Sequence, residues 1–361
     1  MKTQPRIAGL DLMRMSAIVL VLFAHSASLL RFNFPEFWIY WSGFIGVEIF
    51  FVLSGFLIGG IIIKTISKKD FNFSELIRFW KLRWYRTIPI YFFALLLFSI
   101  VLFLLRNYYF VFYNPKWYLY FIFLQNCWSS EPELFGVAWS LSVEEWFYIL
   151  TPLTFYFAGK KVRLSSSVQL KLIITLIIIF FIVRFLYLYF GDPLSFDLDV
   201  RKRMPLRLDS LIFGVLMAYL FINFKEKLIK LKFFFCLLGV SLIALVSNII
   251  FDNFVPTLNN LNVLERNIVF PILSIGIAFL IPFIYDLKIN SYIYPSVLFI
   301  SLISYSLYLF HIPIFLFVRT YFKPGVIPFF VFWTGSLIFS WITYSFIEKP
   351  ILNYRDKKFK K

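Results

Sequence analysis

The chain has 361 residues, of which 61% are hydrophobic, 22% aromatic and only 15% charged. A soluble domain carries about a quarter charged residues, so this balance excludes an ordinary soluble enzyme and points to an integral membrane chain. The net charge of +17 would indicate a nucleic-acid partner in a soluble protein. In a membrane chain it reads instead as Lys and Arg gathered in loops on one side, and no nucleic-acid partner is expected.

Apolar runs fall near 10–30, 42–63, 86–105, 136–158, 170–190, 206–223, 233–251, 267–285, 296–318 and 327–347. Each is close to the roughly 20 residues that span a bilayer core as helix. The expectation is an all-α, polytopic protein of about ten transmembrane helices, with one integral membrane domain over 1–361 and the lipid bilayer as its partner. A shorter stretch, 117–126, is too short to span and predicts a re-entrant or interfacial segment.

The first run carries Asp11, Arg14 and His25. Ionisable side chains inside a span mark function by default. Eleven positions separate Arg14 from His25, which on a helix is about three turns, an offset of roughly 20° and a rise of roughly 16 Å. The two therefore share one face, with Asp11 one turn before Arg14. Lys2, Arg6 and the small residues Ser26, Ala27 and Ser28 imitate a cleaved leader, but Asp11 and Arg14 inside the apolar segment argue against one.

The second run, GFIGVEIFFVLSGFLIGG, holds Gly43, Gly46, Ser54, Gly55, Gly59 and Gly60. Small residues suit close helix packing or a narrow passage. Glu48 is expected near the outer interface. Lys64, Lys68, Lys69, Arg78, Lys81, Arg83 and Arg86 read as the loop after this run. Lys160, Lys161 and Arg163 follow span four. Lys225, Lys227, Lys230 and Lys232 follow span six. Arg355, Lys357, Lys358, Lys360 and Lys361 form the tail. With ten spans all these fall on one side, which predicts both termini in the cytoplasm. Arg201, Lys202, Arg203 and Arg207 are the exception.

Arg83 and Arg86 lie one turn apart at the cytoplasmic mouth of span three. Guanidinium forks fit phosphate, although ordinary loop charges would look the same. In WSLSVEEWFY, Glu144 and Tyr148 are four apart and share a face. A buried Glu there would orient an imidazole, act as a second base, or pair with an arginine. Ser304, Tyr308 and His311 share one face of span nine, which fits either a polar cavity or a histidine bridging helices. Arg207 and Asp209 open span six, Glu348 and Pro350 close span ten, and both read as structural anchors. Cys127 and Cys236 are far apart, so no disulfide framework is implied. With two histidines and two dispersed cysteines, no metal site is expected.

Seven segments stand in one order: GLDLMRMSAIVLVLFAHS, GFIGVEIFFVLSGFLIGG, FWKLRWYRTIPIYF, WSLSVEEWFYILTPL, RLDSLIFGVLMAYL, SYSLYLFHIPI and YSFIEKP. From Gly9 to Pro350 the chain resembles the acyltransferase-3 family of bacterial integral membrane acyltransferases. The resemblance implies transfer of an acyl group, often acetyl, from cytoplasmic acyl-CoA to a hydroxyl of an extracytoplasmic or lipid-linked glycan, within the bacterial cytoplasmic membrane. It maps the family's Arg and His signature onto Arg14 and His25, and its paired arginines onto Arg83 and Arg86. Glu144 falls at the family's more constant acidic position and is preferred to Glu145. On this reading His25 is the base or carries the acyl group, with Glu144 beside it. Arg14, Arg83 and Arg86 hold the donor, and Asp11, Tyr148, Ser304, Tyr308 and His311 belong to the substrate cavity among spans one, three, four and nine. Some members carry a fused hydrolase-like domain, whereas this chain reads as a stand-alone member. Two rivals stand beside this: a transporter or flippase of lipid-linked glycans, and a non-catalytic partner in an envelope complex. Consumption of acetyl-CoA separates them.

Overall fold

Apolar backbone in a membrane must satisfy its own hydrogen bonds, and a helix does so within one segment. In the computed structural model the chain forms α1 (Ala8–Ser26), α2 (Glu36–Ile66), α3 (Phe73–Leu104), α4 (Ala138–Lys161), α5 (Ser166–Phe190), α6 (Leu208–Lys230), α7 (Lys232–Asp252), α8 (Val263–Tyr285), α9 (Tyr294–Tyr321), α10 (Val326–Thr343) and α11 (Lys349–Lys358). The structure describes residues 6–30, 34–66, 72–104, 116–128, 135–161, 165–191, 193, 195–254 and 261–359. Among these there is no strand. Lys2, Ser67, Lys68, Lys69, Arg163, Lys360 and Lys361 lie outside the described residues.

Among the described residues nine helices are long and apolar enough to cross a membrane, the last running from α10 through α11. Each covers one of the expected runs. The remaining run is α4, made more polar by Glu144 and Glu145. Its 24 residues still reach about 36 Å, enough for a bilayer core. Its crossing follows from the neighbours of α1. Asp11 near the start of α1 meets Ser301 of α9, and His25 near its end meets His311. The two helices are parallel. Successive crossings alternate in direction, so parallel helices are separated by an odd number of them, and α2 to α8 make seven only with α4 included. The chain is a polytopic, all-α membrane protein.

Helix α6 is central, with 78% of its apolar window buried, against 17% for α5 and for α7 on the periphery. Helix α2 lies along α6. A Cβ at Gly55 would stand 2.0 Å from the Leu211 carbonyl oxygen, and one at Gly214 would stand 2.2 Å from that of Val52. No side chain fits there, so the small residues set the closest approach of the two backbones.

The loop expected after span two is corrected. Helix α2 runs to Ile66 and α3 begins at Phe73, so Lys64, Arg78, Lys81, Arg83 and Arg86 are helical and not in a loop. Glu48 is buried and ion-paired with Arg207, which stacks over Phe270 at 3.6 Å. Beside it Arg184 pairs with Asp209 at 2.7 Å and donates to Asn267 Oδ1 at 2.9 Å. The basic group at 201–207, an apparent exception to one-sided charge, is answered inside the fold. Asp197 pairs with Arg201 at 2.5 Å and with Lys202 at 3.0 Å, and Asp199 lies 3.7 Å from Arg203. Arg201 also sits over the rings of Tyr40, Phe44 and Trp139. The short segment holds a 3-10 turn, Trp117–Phe121. It is tied down where Asn126 donates to the carbonyls of Trp139 at 3.1 Å and Lys202 at 2.6 Å.

Candidate active site

Five helices enclose one polar cavity. Arg14 enters from α1, Phe50, Ser54 and Leu57 from α2, Arg83, Arg86 and Thr87 from α3, Ser140, Glu144 and Tyr148 from α4, and Ser304, Tyr305 and Tyr308 from α9. Helical spacing explains the set. Ser140, Glu144 and Tyr148 recur every four residues and so form one stripe of α4, while Arg83 and Arg86 are one turn apart on α3. The lining carries three guanidinium groups and one carboxylate. Low-dielectric walls strengthen that imbalance, so the cavity favours an anion.

Arg14 and Glu144 are held in place. Arg14 Nη1 lies 3.3 Å from Ser301 Oγ and 3.5 Å from Asp11 Oδ1. Asp11 is itself bound by Arg6 at 2.7 Å, Ser301 at 2.7 Å and the Tyr294 hydroxyl at 3.1 Å. Asp11, expected in the cavity, therefore stands behind it and steers Arg14. Burial works against the Arg6 charge, but its hydrogen bond to Asp11, the larger effect, raises the guanidinium above its ordinary value. Glu144 accepts from Ser54 Oγ at 3.2 Å and from the Tyr148 hydroxyl at 3.0 Å. Glu145 is buried outside the lining.

The end of the cavity at α9 is closed by Tyr308. Its hydroxyl meets Ser140 Oγ at 2.6 Å and donates to the Val137 carbonyl at 3.3 Å. One turn further, His311 stands 6.0 Å ring to ring from Tyr308, and His25 stands 5.0 Å from His311. His25 and His311 thus form a second level beyond Tyr308 and are not among the cavity's lining residues. His311 is fully buried, and its Nδ1 lies 3.0 Å from the Leu307 carbonyl. His25 is half-buried and also faces Phe315.

Sequence reasoning omitted span two from the cavity and did not name Thr87, Ser140 or Tyr305. Ser140 was accessible from the four-residue spacing that picked out Glu144 and Tyr148. For Ser54 the sequence leaves open packing or a narrow passage, because a small hydroxyl among glycines carries no sign of which neighbour it faces. Among the described residues no three His, Cys, Asp or Glu side chains gather as a metal site. Cys127 and Cys236 are both free.

The family profile for the acyltransferase domain matches residues 7–345. The chain belongs to this acyltransferase-3 family. It is similar to the O-acetyltransferase OatA of Staphylococcus aureus strain NCTC 8325 / PS 47, with 27% identity over 391 residues, covering 98% of this chain and 58% of the relative. OatA of Staphylococcus aureus strain MRSA252 matches with the same identity and coverage. The chain thus spans little more than half the length of the curated relatives it matches. No solved structure matches it significantly. Arg14, Arg83, Arg86, Glu144 and both histidines fall within the matched region of this acyltransferase-3 protein.

Proposed function

We propose that this protein is a membrane O-acyltransferase of the bacterial cytoplasmic membrane. It takes an acetyl or other short acyl group from cytoplasmic acyl-CoA and places it on a hydroxyl of an extracytoplasmic or lipid-linked glycan. The observation that carries this reading is a cavity with three guanidinium groups and one carboxylate, with a pair of imidazoles one level beyond its Tyr308 wall. The naming of related proteins as O-acetyltransferases supports it.

Arg14, Arg83 and Arg86 bind the phosphates of the donor, whose planar bidentate recognition suits guanidinium. The acyl-bearing arm runs along the Ser54, Ser140 and Tyr308 wall toward His25. A neutral imidazole is the usual base for a hydroxyl proton. The acceptor oxygen gives its proton to His25 and bonds to the thioester carbon. The carbon–sulfur bond breaks, and the leaving thiolate takes the proton back from His25. If the His25 nitrogen first attacks the thioester carbon, the carbon–sulfur bond breaks at that step; the acceptor oxygen then bonds to the acyl carbon, the carbon–nitrogen bond to His25 breaks, and the acceptor's proton ends on the thiolate. Glu144 answers part of the arginine charge and holds the α2–α4 wall through Ser54.

The experiment is mass spectrometry of surface glycans from cells with and without the protein. The proposal expects acyl-bearing glycan only in its presence. A transporter or flippase would change the amount of glycan and leave its acylation per residue unchanged.

A further inference from the structure

We infer that His311 is a positioning residue for His25: its Nε2 accepts a hydrogen bond from an imidazole N–H of His25 and so fixes which nitrogen of His25 is free to take a proton. The inference rests on the acyl-transfer role proposed for His25.

The tautomer of His311 follows from its contacts. A carbonyl oxygen only accepts, so Nδ1, 3.0 Å from the Leu307 carbonyl, carries the hydrogen. Nε2 is then a bare acceptor. It is buried and has no hydrogen-bond partner among the described residues, and a buried polar atom without a partner calls for an explanation. The nearest ring that can supply an N–H is His25, with centroids 5.0 Å apart. The chain has no other histidine. The Tyr308 hydroxyl is engaged with Ser140 and the Val137 carbonyl.

The alignment of the two rings is built into the helix pair. Helices α1 and α9 are parallel, and the Asp11, Arg14 and Ser301 contacts lock their register near the start of α1. That register brings His25 level with His311 near its end. Hydrogen bonds of a catalytic group are often loose without substrate and tighten in the complex, which fits a 5.0 Å pair not yet bonded. An imidazole base works when one nitrogen is held as a donor and the other is left bare. When His25 takes the acceptor's proton, both its nitrogens carry hydrogen. The one facing His311 stays in its hydrogen bond, and no proton passes to His311.

The chain's two histidines make a direct test feasible. Nitrogen-15 histidine labelling of the full chain in lipid nanodiscs gives solid-state NMR signals from two rings only. The wild type is expected to show His311 protonated on Nδ1 and bare on Nε2, and a single tautomer for His25. In His311→Phe the His25 signals are expected to spread over both tautomers. The same variant is expected to lower kcat with acetyl-CoA by at least about tenfold, the scale of losing a group that orients a reacting imidazole, with KM for acetyl-CoA unchanged. His311→Gln, which still offers an acceptor oxygen, should recover part of kcat. Protonation of His311 on Nε2, or wild-type kcat in His311→Phe, overturns the inference. If His311→Phe does not fold, the wild-type spectrum still decides it. If the wild type consumes no acetyl-CoA, the acyl-transfer reading fails and the spectra alone judge the hydrogen bond.

Discussion

Arg86 provides the sharpest test of the donor site. It lines the cavity one turn from Arg83, and no ion pair or hydrogen bond engages its guanidinium among the described residues. Among the described residues the Arg83 guanidinium makes no hydrogen bond or ion pair, and it lies 5.9 Å from the Phe79 ring centroid. Arg14, by contrast, is already engaged by Ser301 and Asp11. Arg86 and Arg83 therefore have the most capacity left for an incoming phosphate, and Arg14 has less. A hydrogen bond to a charged group contributes roughly 1.5–3 kcal/mol. Loss of one such contact in Arg86→Gln predicts a rise in the acetyl-CoA dissociation constant of about 10- to 150-fold. Arg83→Lys and Arg86→Lys should fall between this and wild type, because an ammonium offers a point charge and not a planar fork. Partly buried charges are screened little by salt, so the ratio should persist as ionic strength rises. Calorimetric titration of purified protein in nanodiscs with acetyl-CoA measures all of this. Equal affinities in wild type, Arg83→Lys, Arg86→Lys and Arg86→Gln would refute the donor site.

Three further outcomes follow from the fold. A cysteine introduced at Ser67 should resist labelling from outside sealed cells if the side rich in Lys and Arg is the cytoplasmic one, as we propose from the charge pattern; ready labelling would reverse the orientation. Arg207→Met strands Glu48 in the core and should cost about 3–5 kcal/mol, whereas Glu48→Met combined with Arg207→Met should be far milder; thermal unfolding with the double variant no better than the single would contradict this. Burial favours the neutral form of Asp197, but the charges and hydrogen bonds of Arg201 and Lys202 outweigh it and hold the carboxyl well below the usual range. Such a group stabilises the fold above its unfolded value, and that contribution is lost as pH falls toward its folded one. Asp197→Asn should therefore lower the thermal midpoint at neutral pH, with the difference shrinking below about pH 4; a difference independent of pH would speak against the pairing.

The helices were legible because span length is a property of composition alone, and every expected run coincides with a helix. Helix α4 was the hardest to class, since the carboxylates that mark it as functional also lower its hydropathy. Residues that share a face of one helix were also legible: Arg83 with Arg86, Glu144 with Tyr148, and Ser304 with Tyr308. Contacts between helices were not. Spacing on α1 put Arg14 and His25 on one face, yet Arg14 turns into the cavity with Asp11 behind it, while His25 sits about three turns away beside His311. Nothing in the local pattern around Glu48 announces its partner 159 positions later. The basic group at 201–207 looked like a topological exception because its answering groups, Asp197, Asp199 and Glu48, are partly distant in sequence.

We propose that His25 serves transfer of an acyl group from CoA. Inside-out membrane vesicles from cells making the protein, supplied with acetyl-CoA labelled in its acetyl group, test it most directly. Wild-type vesicles should accumulate label in glycan. His25→Ala, inserted at the same level, should lose about 10²–10⁴-fold in rate, the usual cost of removing a positioned base. Equal labelling by the two, or no labelling by wild type, would contradict the account.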